Sequence, residues 1–135
     1  MVSITSRDEL NHLSARIIAS AIEIHRALGP GLIESAYARC LEHELRLSGL
    51  ETEVEVPIPL IYRAVRLDCA YRADLVVQGS VLVEVKAVDA VSPLHKQQLY
   101  TYLRLGGYRL GLLLNFGGAT MKEGVRRVVN GFPDR

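Results

Sequence analysis

The chain has 135 residues, enough for one domain with a substantial core. Hydrophobic residues make up 49% and charged residues 23%, a composition that excludes an intrinsically disordered chain. The 16 Lys and Arg residues nearly balance the 15 Asp and Glu residues, leaving a formal net charge of +1. Any binding to nucleic acid must therefore come from a local basic patch rather than from the surface as a whole.

Membrane and secretory segments are not predicted. The apolar stretches are far shorter than the roughly 20 residues of a spanning helix. Residues 1–10 include Asp8 and Glu9 and lack the basic and apolar segments of a secretory signal. We therefore expect a cytoplasmic location with no membrane partner. Cys40 and Cys69 are expected to be reduced and mostly buried, because a chain of this size folds without disulfides.

Two helices are predicted at the beginning of the chain. Apolar residues from Arg7 to Leu28 recur at three- and four-residue steps, the period of one helix face. Leu28-Gly29-Pro30-Gly31 ends this helix, since it combines a capping glycine with a residue that cannot extend it. A second helical pattern spans Leu32 to Leu47 and ends at Ser48-Gly49.

The middle of the chain predicts adjacent strands. The β-rich runs are Glu53–Pro57, Leu60–Arg63, Tyr71–Val77 and Val81–Ala87. The short connection Gln78-Gly79-Ser80 favours an antiparallel hairpin between the last two runs. Pro57 and Pro59 place the first run at a sheet edge, because proline cannot donate to a neighbouring strand on both sides.

The last third predicts one more helix and one more strand. Pro93 to Leu105 has helical spacing, and Tyr108 to Phe116 resembles a buried strand. The run Gly124–Val129 is short and ambiguous. The order α-α-β-β-β-α-β predicts a single domain over residues 1–135, of the α/β class, in which helices flank a mixed central sheet.

Three charged residues interrupt runs that are otherwise apolar. Glu84 and Lys86 lie in a strand with apolar residues on both faces, and their two-residue spacing puts both side chains on one face. In the predicted hairpin, Asp74 comes close to Glu84. Two converging carboxylates attract Mg²⁺ or Mn²⁺, and a neighbouring lysine can orient water or stabilise charge on a phosphate. The alternative is a Glu84–Lys86 salt bridge on a solvated sheet face, with Asp74 capping a turn.

Further candidates lie on the helices. Glu34 shares a helix face with Tyr37 and apolar residues, which predicts a carboxylate on the buried side. The alternative is a first-turn glutamate that interacts only with the helix dipole. Gln98 and Tyr102 are four residues apart on the third predicted helix, where an amide and a phenol could hold a phosphate or a bound water.

Several segments together resemble one family. Gly31-Leu-Ile-Glu34-Ser-Ala-Tyr37 looks like the signature of the GxxExxY family, which is placed in the PD-(D/E)XK nuclease superfamily. Tyr71-Arg-Ala-Asp74 resembles its acidic strand and Val83-Glu84-Val-Lys86 its E-x-K element. Gln98-Leu-Tyr-Thr-Tyr102 and Leu114-Asn115-Phe116-Gly117 are similar to its later elements. The resemblance covers about Leu10 to Phe132.

The resemblance implies a restriction-endonuclease-like core and a metal-dependent nuclease. It implies that Asp74 and Glu84 bind Mg²⁺ or Mn²⁺, with the backbone carbonyl of Val85 as a further ligand. Lys86 would position the attacking water. Glu34 would complete the metal site, and Gln98 with Tyr102 would support it.

The function expected from these features is hydrolysis of phosphodiester bonds in DNA, which is favoured over RNA. A homodimer or a partner protein could supply the grip on the substrate, because the chain is small and nearly neutral. The competing interpretation is a non-catalytic module that retains the nuclease fold and binds nucleic acid or protein. A third, weaker alternative is a hydrolase or lyase with Lys86 as nucleophile.

Overall fold

The computed structural model describes residues 6–135, and these form a five-stranded sheet with helices on both faces. In chain order the elements are α1 Arg7–Leu28, α2 Glu34–Leu47, β1 Thr52–Tyr62, β2 Val65–Val77, β3 Val81–Lys86, α3 Pro93–Gly106, β4 Leu110–Asn115, α4 Met121–Gly124 and β5 Val125–Val129. Within residues 6–135 no helix is long and apolar enough to cross a membrane.

The sheet is mixed, as expected. Its strands lie in the order β1-β2-β3-β4-β5, and every neighbouring pair is antiparallel except β3 with β4. A parallel pair needs a crossover connection, and α3 provides it. The proline-containing strand β1 lies at one edge, which confirms the prediction from Pro57 and Pro59.

Two apolar clusters bury the faces of the sheet. Helices α1 and α2 cover one face through residues such as Ile17 and Leu41, and α3 covers the other through Leu99 and Leu103. The central strands β3 and β4 therefore lie between two layers, and residues 81–85 and 110–115 are all buried. This arrangement confirms the restriction-endonuclease-like α/β prediction and explains the continuous apolar runs.

Two segments differ from the elements predicted at the sequence level. The runs predicted over Glu53–Pro57 and Leu60–Arg63 form the single strand β1, and β2 begins at Val65 rather than Tyr71. Together they form a long hairpin whose outer part extends beyond both apolar clusters. The ambiguous run Gly124–Val129 contains the end of α4 and the strand β5, which pairs with β4.

The prediction for the cysteines was wrong on burial. Both thiols are free, but Cys69 is exposed on the β1–β2 hairpin and Cys40 is only half-buried. Cys69 is exposed because neither apolar cluster reaches this part of β2.

Candidate active site

Asp74 and Glu84 lie where β2 and β3 separate. The paired residues of the two strands end at Leu75 opposite Val83. Beyond that point side chains replace the backbone ladder. Asp74 Oδ2 accepts a hydrogen bond from the backbone N–H of Val85 at 2.7 Å, and Glu84 Oε1 accepts one from the backbone N–H of Asp74 at 3.4 Å. The two carboxylates thus join the diverging strands.

The tight turn between these strands sets their register. Gln78 and Gly79 both have positive φ, of 53° and 61°, as a type I′ hairpin turn requires. A one-residue slip would move every side chain of a strand to the opposite face. The turn therefore determines that Asp74 and Glu84 come together, as the sequence predicted.

Glu84 is held by a pair of stacked tyrosines. Its side chain is buried, with the residue 3% exposed, and the hydroxyl of Tyr71 donates a short hydrogen bond to Glu84 Oε2. The Tyr71 ring stacks on the ring of Tyr102 from α3, with centroids 3.6 Å apart and planes 6° from parallel. Tyr102 therefore contacts the residue that orients Glu84.

A locked loop determines where α2 begins. Gly29 and Gly31 have φ values of 68° and 116°, which residues with a Cβ rarely adopt. Tyr37 is buried, and its hydroxyl donates to the carbonyl oxygen of Gly29 and accepts from the backbone N–H of Leu32. These contacts make Glu34 the first residue of the helix.

Glu34 reaches the end of β3 from this helix. Its Oε2 accepts a hydrogen bond from the backbone N–H of Ala87 at 3.3 Å. With Asp74 it lines an open cleft of about 610 Å³. The prediction of a buried carboxylate was wrong, because Glu34 is exposed at the start of α2, next to Ala87 just beyond the end of β3.

Burial and mutual repulsion raise the pKa of Glu84. Its pKa rises from an ordinary value of 4.5 to about 8, chiefly because the carboxyl group is removed from water and secondly because Asp74 is negatively charged. Hydrogen bonds from Tyr71 and from the backbone of Asp74, together with the charge of Lys86, act in the opposite direction.

The pKa of Asp74 is also raised, first by burial. The N–H of Val85 and the charge of Lys86 oppose this shift, whereas the carboxylates of Glu34 and Glu55 add to it. Glu34 on α2 and Glu55 on β1 thus act on Asp74 from two different elements. The site therefore concentrates negative charge around Asp74.

The salt-bridge alternative does not fit the structure. Glu84 is buried rather than solvated, and Asp74 bonds to the neighbouring strand rather than capping a turn. Lys86 is half-buried at the end of β3, and none of the salt bridges within residues 6–135 includes Lys86, Glu84 or Asp74. Lys86 therefore lowers the pKa of both carboxyl groups from a greater distance than a salt bridge.

The donor set fits a hard divalent cation better than a transition metal with nitrogen or sulfur ligands. Within the described part of the chain, no three His, Cys, Asp or Glu side chains converge closely enough to make a complete protein cage. Mg²⁺ needs less, because it keeps several waters and is bound through one or two carboxylates. Asp74 and Glu84, two adjacent carboxylates with raised pKa values and no salt bridge to any Lys or Arg of residues 6–135, meet that requirement.

The structure adds residues that sequence reasoning missed. The hydroxyl of Tyr71 donates a hydrogen bond to Glu84. The available signal in the sequence was the position of Tyr71, three residues before Asp74 on the same strand. Glu55 lies on β1 beside Asp74 and has a φ of 50°. No sequence pattern predicted this position. Gln98 is exposed on α3 one turn before Tyr102, and its predicted role stays a prediction.

Comparison with protein-family models supports the interpretation of the fold. The model described as the PD-(D/E)XK nuclease superfamily matches residues 11–128, which include every element that carries a candidate site residue. Comparison with curated proteins gave no match, and neither did comparison with solved structures. Because the match spans most of the length, the chain belongs to the PD-(D/E)XK nuclease superfamily.

Proposed function

We propose that this protein is a Mg²⁺- or Mn²⁺-dependent nuclease that hydrolyses phosphodiester bonds. The observation that carries the proposal is a buried carboxylate, Glu84, adjacent to a second carboxylate, Asp74, in a superfamily of nucleases. Burying an unpaired carboxylate is costly, and a bound cation offsets that cost. A divalent ion at this position would also neutralise phosphate charge and lower the pKa of water.

Each residue has a distinct role in this proposal. Asp74 and Glu84 hold the cation, with the carbonyl of Val85 as a further oxygen ligand, and Glu34 extends the acidic site towards the open cleft. Lys86 orients the water and stabilises the negative charge that develops on the phosphate. Gln98 and Tyr102 act from α3, Tyr102 through its stack with Tyr71.

Tyr71 has a positioning role. Its hydroxyl restricts Glu84 Oε2 while the backbone of Asp74 restricts Oε1, so the carboxylate is preorganised from both sides. Partners of this kind fix the orientation of metal ligands and raise metal affinity.

We further infer that the chain is a member of the GxxExxY group. Each signature residue has a structural reason in this fold: Gly31 adopts a positive φ, Glu34 starts α2 above the site, and Tyr37 locks the loop between them. The substrate we propose is DNA rather than RNA, cut by the protein in the cytoplasm as a homodimer or with a partner.

A second candidate is a binding module that retains the fold without cleavage. It is favoured by the observation that Glu34, Asp74 and Glu84 each accept a hydrogen bond from a backbone N–H of a neighbouring segment. In that case the carboxylates would only hold the strand ends together.

Nicking of supercoiled plasmid separates these two functions. The unsubstituted protein, Asp74→Asn and Lys86→Ala are compared with Mg²⁺, Mn²⁺ and chelator, and Lys122→Ala serves as a matched control because Lys122 is exposed on α4. The nuclease proposal requires metal-dependent cleavage that both site variants lose while they remain folded. Equal cleavage by all proteins would identify a contaminant, and no cleavage of duplex, single-stranded or RNA substrates would favour the binding module.

A further inference from the structure

The outer part of the β1–β2 hairpin is a two-stranded ribbon that lies outside both apolar clusters of residues 6–135. We call residues 59–70 the arm. The residues from Ile61 to Ala70 are all exposed, whereas Ile58, at the base, is buried against α3. An isolated pair of strands is only marginally stable in water. An arm of this kind is therefore a candidate for contact with another molecule.

The arm carries basic residues near its tip. Arg63 lies in the turn with a φ of 52°, and its guanidinium is 5.3 Å from the centre of the Tyr62 ring. Arg66 follows on the returning strand, and Arg72 is exposed at the base. The one acidic residue of the arm is Asp68, whose 3.7 Å contact with Arg66 joins two strongly exposed side chains and is therefore weak.

The arm also has an apolar face. Paired residues of neighbouring strands share a face, and the register pairs Leu60 with Leu67 and Tyr62 with Val65. Tyr62, Val65 and Leu67 are 60%, 53% and 45% exposed. Arg66 pairs with Ile61 on the opposite face. The ribbon thus offers apolar and cationic contacts on a narrow element.

The dimensions of the arm suit a nucleic-acid duplex. The major groove, about 12 Å wide, admits a two-stranded β-ribbon. Asp74 lies beside Glu55 on β1, and Tyr62 is seven residues further along that strand, so at about 3.3 Å per residue the tip lies about 23 Å from the carboxylates. This distance corresponds to about seven base pairs at 3.4 Å each along the helix axis.

We propose that the arm is the nucleic-acid grip of this protein and that it takes a duplex. Arg63 and Arg66 contact phosphates about seven base pairs to one side of the bond at Asp74 and Glu84, and Arg72 contacts the duplex nearer to that bond. The apolar face meets the methyl groups of thymine in the groove. This inference rests on the proposed function, and it supplies the local basic patch that a chain of net charge +1 requires.

Charge favours a nucleic acid over a second copy of the chain as the occupant. Arg63 in the turn and Arg66 and Arg72 on β2 extend from the tip towards the site, and a symmetric dimer through the arm would bring these like charges together. A phosphate backbone neutralises them instead, with release of counterions.

The test measures binding without cleavage. A labelled duplex of about 20 base pairs is titrated by fluorescence anisotropy at several salt concentrations, using full-length protein with Asp74→Asn to prevent turnover. The double variant Arg63→Ala/Arg66→Ala is compared with Arg104→Ala/Arg109→Ala, which removes two exposed arginines outside the arm, one on α3 and one directly before β4. Thermal melting confirms that each protein is folded.

The expected result is a loss of affinity for the arm variant alone. At 0.1 M salt each lost phosphate contact costs on the order of tenfold, so two contacts cost about 10- to 100-fold, and the slope of log K against log salt falls by about two. Equal affinities and slopes for the two double variants would overturn the proposal. So would light scattering that shows a dimer abolished by Leu67→Glu while duplex affinity is unchanged.

Failure of the nuclease proposal is distinguishable from failure of this one. Arm-dependent binding by a protein that never cleaves would remove the nuclease function and leave the arm assignment intact. Metal-dependent cleavage by the unsubstituted protein, with binding indifferent to Arg63 and Arg66, would remove the arm assignment alone.

Discussion

The raised pKa of Glu84 makes the stability of the metal-free protein depend on pH. A carboxyl group whose pKa is higher in the folded state keeps its proton there when the unfolded chain has already lost it. Below about pH 4.5 both states are protonated, and above about pH 8 both are ionised. Between these values the folded state binds more protons, so the free energy of unfolding falls as the pH rises.

The magnitude follows from the shift. Each unit of pKa difference corresponds to about 1.4 kcal/mol, so a rise from 4.5 to about 8 gives a loss of about 4 to 5 kcal/mol between pH 4.5 and pH 8. Asp74 shifts in the same direction and adds to the loss. Because small domains are stable by only about 5 to 15 kcal/mol, this is a large fraction of the total.

The variant Glu84→Gln isolates this contribution. Urea unfolding in chelator at pH 5 and pH 8.5 should show a much smaller fall in stability for Glu84→Gln than for the unsubstituted protein. Glu123→Gln, on the exposed face of α4, controls for the change in net charge. Added Mg²⁺ should restore stability at pH 8.5 to the unsubstituted protein and not to Glu84→Gln. Identical pH dependence of all three proteins would refute the reasoning.

Three further substitutions test the residues around the site. Tyr71→Phe removes the hydroxyl bonded to Glu84 and keeps the ring, so we expect Mn²⁺ affinity measured by calorimetry to fall about 10- to 100-fold, with no change for the exposed Tyr100→Phe. Tyr37→Phe should lower the free energy of unfolding by about 1 to 3 kcal/mol in urea, because two backbone groups of the loop before α2 lose a partner. Gly117→Ala should lower the melting temperature, at a cost of about 1 to 3 kcal/mol or more, because the new Cβ would lie 2.3 Å from a backbone oxygen.

Local patterns in the sequence predicted most of the fold. The bounds of α1 were predicted correctly from Arg7 to Leu28, because its apolar period is regular and Gly29 ends it. The β2–β3 hairpin followed from the turn residues at Gln78 and Gly79. The arm was only partly predicted, because its exposed strands have neither the alternation of a half-buried sheet nor a glycine at the turn, where Arg63 adopts the positive φ instead.

The sequence predicted those contacts of the site that follow from the spacing of residues along a hairpin. Asp74 and Glu84 come together because a tight hairpin places them opposite each other, and the turn residues in the sequence predicted that hairpin. The position of the Tyr71 ring depends on its stack with Tyr102 of α3, which packs across the sheet. The position of Glu55 depends on its positive φ, an irregularity in β1. Neither feature can be predicted from local sequence patterns. The resemblance to a family identified Glu34 as a site residue, but its exposure follows from its place at the start of α2, next to Ala87 beyond the end of β3.

The acidic site and the basic arm have opposite effects on the binding of a nucleic acid. The carboxylates of Glu34 and Asp74 disfavour the approach of a polyanion, and the negative charge of Asp74 adds to burial in raising the pKa of Glu84. The arm attracts a polyanion about 23 Å away at a β-strand rise of about 3.3 Å per residue. On the proposed function, a nucleic acid can therefore be held by the arm without entering the acidic site. A divalent cation at the carboxylates would offset most of this negative charge, so metal should promote the approach of the scissile phosphate as well as its hydrolysis.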